Sequence, residues 1–329
     1  MTEATDWRPG CDPAVLHLRA RMLRALRAFM DERAVLEVET PLLTPGANHD
    51  AHIENLAVNA HDTQGAPLSL QASPELYMKR LLAAGSGPIW QLCKVFRAGE
   101  TGTRHNPEFT MLEWYLPGYD LDGMVGATLE LFQQLRRTAG LPPLPIRRLT
   151  YRDAFWQTTG LDPFVASPTE LAACAEASGL RLHESADLDR SDWLDLLLSE
   201  VVQACFSQDH FTVLCAFPAD QAALARTRQD GQGNQVAERC EIFQGRLELA
   251  NGYQELTDAG EQRRRFADEA RRRNARGEAP TRMDARFMAA LESGLPDCAG
   301  LSVGFDRLLM TCAGVDRIQA VLAFDYGRL

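Results

Sequence analysis

Apolar residues recur at helical spacing over positions 14–33, where Val15, Leu18, Met22, Leu26, Phe29 and Met30 fall on one face. A short extended stretch, 35–38, and Pro41 follow. Ser73-Pro74 reads as an N-cap with proline at the first helical position, which predicts a helix over 74–84. Strand patterns over 89–95 and 108–116 flank a polar loop with Arg97 at its entrance, as in an antiparallel hairpin. A helical insertion is expected from about 120 to 208, broken by the proline-rich linker 141–145. Strands near 211–216, 236–243 and 246–251 then lead to helices over 258–277 and 281–293. A last strand, 299–304, meets a helix opened by Asp306 and Arg307. Strands scattered among helices, without regular βαβ alternation, predict an α+β fold rather than a doubly wound sheet.

The polar positions that interrupt this pattern carry the chemistry. Arg97 at a strand end and Arg307 at a strand-to-helix junction place two guanidinium groups at fixed points, about 210 positions apart. A guanidinium forks onto phosphate oxygens and never loses its charge, so the pair suits a polyphosphate. The common phosphate cradles are missing: there is no G-x-x-x-x-G-K-[ST], and no G-x-G-x-x-G follows a strand. Glu248 and Glu255 lie seven positions apart with Asn251 and Gly252 between them. Across a bulge or tight turn two such carboxylates converge on one Mg²⁺, which prefers one or two carboxylates plus substrate phosphates.

Composition narrows the classes. A chain of 329 residues, 45% hydrophobic, is long enough to bury a large core. The net charge of −11 has the wrong sign for general nucleic-acid affinity, so tRNA is not an expected partner. Arginines 263–265 and 271–273 alternate with Glu261, Asp268 and Glu269 at helical spacing, as on a solvated, salt-bridged face. His49, Asp50 and His52 share a loop without evident further ligands and do not make a zinc site. Eight cysteines show no C-x-x-C, and several sit inside apolar runs as small hydrophobes. With no signal peptide and no 18-residue apolar span, a reduced cytoplasmic setting without membrane contact is expected.

The segments Phe96 to Tyr115, Glu238 to Gln262 and Gly300 to Met310 together resemble motif 2, the magnesium segment and motif 3 of class II aminoacyl-tRNA synthetases, in particular the lysyl branch. HNPEFT and ELANGYQELTD carry the likeness, and Arg19 to Pro41 resembles motif 1. Ser73-Pro74-Glu75-Leu76-Tyr77-Met78-Lys79-Arg80-Leu81-Leu82 and Gly294-Leu295-Pro296-Asp297-Cys298 are similar to a short synthetase-like branch, the ligases that attach β-lysine to elongation factor P.

The resemblance implies one catalytic domain over 1–329, an antiparallel sheet flanked by helices, with no anticodon-binding domain. It implies ATP and Mg²⁺ as cofactors and a homodimer paired through motif 1. Arg97 would bind the α-phosphate, and Arg307 the γ-phosphate while covering one adenine face. Phe109 would stack on the other face, His105 and Asn106 would meet the phosphates and ATP, and Gly304 would admit the nucleotide closely. Ala98, Gly99, Glu100 and Leu249 belong to the same ATP segment. Glu248 and Glu255 would hold Mg²⁺. Ser73, Pro74, Glu75, Tyr115, Glu255 and Ser302 would border the amino acid. Two positions depart from the family: Gly99 stands where motif 2 has glutamate, with the acid one place later at Glu100, and Ser302 stands where glycine or alanine is usual.

Three classes stay open. One is an ATP-dependent ligase that activates lysine or (R)-β-lysine as an adenylate and passes it to a lysine of elongation factor P. The second is a free-standing lysyl-tRNA synthetase-like or asparagine-synthetase-like enzyme, and the third a nucleotide-binding regulator. Only 18 residues precede Arg19, too few for an anticodon barrel given that independent domains rarely fall below about 50 residues. A cationic substrate calls for buried acids, which Glu75 and Glu255 offer. The ligase is therefore the leading expectation.

Overall fold

The computed structural model describes residues 7–45, 53–63, 65–180, 188–275, 277 and 283–329, so His49, Asp50 and His52 lie outside the described residues. In chain order the helices and strands begin with α1 (Pro13–Asp31), β1 (Leu36–Glu37), β2 (Leu43–Thr44), β3 (Ala57–His61) and β4 (Pro67–Leu70). Then come α2 (Glu75–Ala83), β5 (Ile89–Phe96), β6 (Glu108–Pro117) and α3 (Leu121–Thr138). A second group comprises β7 (Ile146–Thr150), α4 (Tyr151–Thr159), α5 (Pro168–Ala177), α6 (Arg190–Leu197), β8 (Phe211–Pro218) and β9 (Thr227–Gln229). It ends with β10 (Gln235–Gln244) and β11 (Leu247–Gln254). The chain closes with α7 (Ala259–Ala275), α8 (Ala285–Gly294), β12 (Cys298–Gly304) and α9 (Phe305–Ala313). Two compact units result, Met1–Pro143 with Leu256–Leu329, and Leu144–Glu255.

In the first unit β5 pairs antiparallel with β6, β6 pairs antiparallel with β12, and the short β1 joins β5 in parallel. A separate small sheet runs β2-β4-β3. The start of α1 is capped by the Asp12 side chain, which accepts from the Ala14 amide at 2.7 Å, with Pro13 at the first turn. Its buried residues are Leu18, Met22, Leu26, Phe29 and Met30, five of the six expected on that face. Phe29 meets the Trp114 ring edge-on with centroids 6.4 Å apart, seating α1 on the even-numbered face of β6. Arg19 fastens the same helix to α9 and β6: its guanidinium reaches Asp306 at 2.5 Å and Thr110 Oγ1 at 2.7 Å.

In the second unit β10 is the hub, antiparallel to β8, β9 and β11, while β7 adds to β8 in parallel. Tyr151, Phe155 and Phe217 centre its core, with Tyr151 stacked on Phe155 at 4.6 Å.

Several expectations are revised. The stretch 120–208 is not one helical block, because α3 belongs to the first unit and strand β7 opens the second. Helix α2 begins at Glu75 with Pro74 at the cap position. Ser73 still accepts the Glu75 amide at 3.0 Å, so the serine works one residue further out than its sequence signature indicates. The expectation of free thiols fails at Cys215 and Cys240, which stand opposite each other on β8 and β10 and form a disulfide. Their sequence separation of 25 carries no pairing signal, whereas strand register brings their Cα atoms to 4.2 Å. The arginine-rich helix α7 is salt-bridged, through Arg265–Glu261, Arg271–Asp268 and Arg263–Glu292. Among the described residues no helix is long and apolar enough to cross a membrane.

Candidate active site

Strand alternation and register line up one face of the first unit's sheet. Phe109, Met111, Glu113 and Tyr115 point to the same side of β6, with Val95, Cys93 and Gln91 beside them on β5 and Gly304, Ser302 and Gly300 beside them on β12. The β12 positions are glycine, serine and glycine, so this lane carries almost no side-chain bulk. At about 3.4 Å per residue, Phe109 and Glu113 are roughly 14 Å apart along the strand.

The loop end of this face is cationic. The Arg97 amide donates to the Pro107 carbonyl at 2.9 Å and closes the hairpin between β5 and β6. Its guanidinium lies 5.2 Å from the Phe109 ring centre and 3.4 Å from Glu100 Oε1, and its buried Nε has no hydrogen-bond partner. The Gly99 departure has a local explanation here. Gly99 turns at φ +75°, a conformation L side chains rarely adopt, and the turn hands the arginine's carboxylate partner to Glu100. Arg307, in the first turn of α9, donates from Nε to the Arg104 carbonyl at 3.4 Å and meets His105 Nε2 at 2.7 Å. A Cβ added at Gly304 would sit 3.5 Å from Arg307 Cδ, so the arginine's stem lies over the glycine. Asn106 is buried, and Ala98 donates its amide to the Glu54 carbonyl.

The other end is acidic and buried. Ser73 Oγ donates to Glu113 Oε1 at 2.6 Å and the Tyr115 hydroxyl to Oε2 at 3.0 Å. Glu75 pairs with the buried Lys79 at 2.5 Å. Burial, then the charge of Glu75, push the Glu113 carboxyl up to about 7 against the pull of Ser73, Tyr115 and Lys79. When Glu113 is ionised, Glu75, Glu113 and Lys79 together leave one negative charge at this end of the face. Ser302 is the direct cross-strand neighbour of Glu113. Cys93, also beside Glu113, has its thiol pushed up to about 12 by burial and that neighbouring charge, so it is no nucleophile. Glu113 itself was not picked out from the sequence. Its signal was there, a lone carboxylate in the apolar run Met111-Leu112-Glu113-Trp114-Tyr115-Leu116.

In the second unit, simple alternation would put Glu248 and Glu255 on opposite faces of a strand. A bulge between Ile242 and Phe243 changes the parity: Arg239 pairs with Tyr253, Glu241 with Asn251 and Phe243 with Glu248. Glu248 therefore shares a face with Asn251, Tyr253 and Glu255, whose own bridge partner is Ala225. Leu249 is the bulged residue and its side chain is buried. Arg239 lies over this face, 2.5 Å from Glu241, 3.3 Å from Asn251 Oδ1 and 4.5 Å from the Phe217 ring centre. Burial opposes its charge, but Glu241, Tyr253, Asp195 and Glu248 outweigh that and raise its pKa. Burial likewise pushes Glu241 up to about 7, with Arg239 pulling the other way. Among the described residues no group of three or more His, Cys, Asp or Glu is placed to hold a metal ion. At about 3.4 Å per residue, seven positions of extended chain with one bulge set Glu248 and Glu255 roughly 20 Å apart. That is too far for one Mg²⁺ to take both carboxylates, so the expected convergence is not met.

An antiparallel sheet with a strand–loop–strand arginine, a glycine-to-arginine strand–helix junction and a helix locked to both is the catalytic architecture of class II synthetases. The chain belongs to that family: the model for class II tRNA synthetases (D, K and N) matches residues 5–326. Along its whole length it is similar to proteins named elongation factor P–(R)-β-lysine ligase. The one from Klebsiella pneumoniae (strain 342) is 41% identical over 331 residues, covering 100% of both chains. That from Mannheimia succiniciproducens is 42% identical over 327 residues, 98% of each chain. The Haemophilus ducreyi protein is 41% identical over 326 residues, 98% of this chain and 97% of its own.

Proposed function

We propose that this protein is an ATP-dependent ligase that activates (R)-β-lysine as an adenylate and transfers it to a lysine side chain of elongation factor P. The observation that carries the reading is the single sheet face of the first unit. Phe109 under Arg97 stands at one end and the buried Glu113 at the other, with a lane of small residues alongside. That layout suits a nucleotide joined to a short cationic amino acid. The full-length likeness to the named ligases supports it.

In the proposed reaction the substrate carboxylate attacks the α-phosphorus, the bond to the bridging oxygen breaks and pyrophosphate leaves. Arg97 stabilises charge at the α-phosphate and Arg307 holds the departing pyrophosphate, so the work is positioning and charge stabilisation. The amine of the acceptor lysine then attacks the acyl carbon, and AMP departs. Glu113, oriented by Ser73 and Tyr115, receives a substrate ammonium together with Glu75, and Ser302 shapes the wall. Glu248 is the residue that would offer a carboxylate to Mg²⁺, which would supply charge neutralisation to the phosphates when bound, and Glu255 would border the amino acid. A homodimer is supported by Leu36, Leu42 and Leu43, which are exposed just after α1. A cytoplasmic setting fits an enzyme acting on a translation factor.

Incubation with ATP, Mg²⁺, (R)-β-lysine and elongation factor P, followed by mass spectrometry, tests the reading. The expected product is the factor bearing one added β-lysyl group on one lysine, with tRNA(Lys) left uncharged in a parallel reaction. An unmodified factor beside efficiently charged tRNA would overturn it in favour of a synthetase.

A further inference from the structure

The motif 2 loop is held at its polar corner by the last residues of the chain, and Asn106 is where they meet. The Asn106 side chain has both ends in use: Oδ1 accepts the Tyr326 amide at 3.0 Å, and Nδ2 donates to the Glu108 carbonyl at 2.6 Å. A backbone amide only donates and a carbonyl only accepts, so these partners also set which way the side-chain amide points. Two further bonds tie the same loop to the segment after α9. The Ile318 amide donates to the Thr103 carbonyl at 2.8 Å, and Gln319 Nε2 donates to the Gly102 carbonyl at 2.9 Å. The terminal turn is anchored in its own right, since Arg328 donates to the Arg8 carbonyl at 3.2 Å and the Gly10 amide donates to the Ala323 carbonyl at 2.8 Å. Loop residues Arg104 and His105 in turn meet Arg307.

We infer that the C-terminal segment is a brace for the ATP loop, and that Asn106 is a positioning residue within it whose side chain serves the brace rather than the nucleotide. The inference rests on the ATP reading of Arg97 and Arg307 given above. With one donor and one acceptor site held by backbone partners, the side chain keeps a single N–H and a single lone pair, in an orientation that those partners fix. A loop whose carbonyls at 102 and 103 are tied down presents Arg97 and His105 in one arrangement, which lowers the ordering cost of binding.

Tyr326 opens a 3-10 turn (Tyr326–Arg328), and Asp325 before it is extended at φ −89° and ψ 171°. Proline is tolerated at such a first position and after such a residue, so Tyr326→Pro removes the donated N–H with little other change to the backbone. Tyr326→Ala keeps the N–H and controls for the lost ring. In ATP–pyrophosphate exchange, Tyr326→Pro is expected to raise KM for ATP roughly threefold to tenfold over Tyr326→Ala, the range for one lost neutral hydrogen bond. KM for (R)-β-lysine should stay unchanged. Asn106→Ala, which also loses the Glu108 bond, should raise it at least as much, and the double variant Asn106→Ala/Tyr326→Pro should be no worse than Asn106→Ala alone, because the Tyr326 bond is already lost there. Hydrogen exchange of amides 99–106 should quicken in Tyr326→Pro and not in Tyr326→Ala. The inference is overturned if Tyr326→Pro matches Tyr326→Ala in both readouts while Asn106→Ala alone loses ATP, which would make Asn106 a direct ligand. If the wild-type protein shows no ATP-dependent exchange, the ATP reading fails on its own, and the hydrogen-exchange comparison still decides the brace.

Discussion

In the proposed function Glu113 receives the substrate ammonium, and its titration gives that proposal a measurable sign. The raised carboxyl means the folded, empty protein holds a proton there that the unfolded chain has already released. Its contribution to stability is therefore full below the ordinary glutamate range and is lost as pH rises toward about 7. Glu241 in the second unit is raised by its own burial and adds a loss of the same sign over the same window. An incoming ammonium reverses the preference at Glu113 by favouring the ionised form. KM for (R)-β-lysine should thus climb as pH falls from 7.5 to 5.5, by about tenfold per unit once Glu113 is mostly protonated. Glu113→Gln should bind the amino acid weakly at every pH and flatten that slope. A Glu113→Gln enzyme with the wild-type pH profile of KM would show that another group receives the ammonium.

Among the elements, the β10–β11 pair does what neither strand's sequence states alone. The bulge after Ile242 gives Glu248 and Glu255 a common face despite their odd spacing. The register also separates their surroundings: Glu248 stands opposite Phe243, close enough to raise the pKa of Glu241, while Glu255 is buried against Ala225. Glu248→Gln should therefore weaken the Mg²⁺ and ATP dependence while sparing amino-acid affinity more than Glu255→Gln does. Calorimetric titration of ATP·Mg²⁺ and of (R)-β-lysine into each variant measures both affinities. Equal losses of both ligands in both variants would remove the distinction.

At the scale of the whole molecule, α1 is the element with two duties. Its inner face is bolted to β6 and α9 through Phe29 and the Arg19–Asp306–Thr110 bonds. The segment after it leaves Leu36, Leu42 and Leu43 exposed, a poor arrangement for a lone protomer in water. A closed two-fold dimer is the commonest way to cover such a surface. Sedimentation at micromolar concentration should give twice the 36.5 kDa chain mass, and Leu43→Arg should shift it toward the monomer. A 36.5 kDa species for the unaltered protein would count against the dimer.

The sequence by itself determined the elements whose signal is local and periodic. Helix 14–33, the hairpin strands around Arg97, and strands 236–243 and 299–304 appear within a few residues of their expected bounds, because apolar period and turn residues act over neighbouring positions. The short strands β2, β3, β4, β7 and β9 had no such period and form only because partners elsewhere in the chain accept their backbone bonds. Tertiary structure alone decided the rest. Register across β5, β6 and β12 made one face out of residues 89 to 304 and set Glu113 between Gln91 and Ser302. A bulge reversed the parity of Glu248, two strands set Cys215 against Cys240, and the chain's last turn reached back 220 positions to Asn106. Each of these depends on which residues lie opposite one another in space, and spacing along one strand does not encode that.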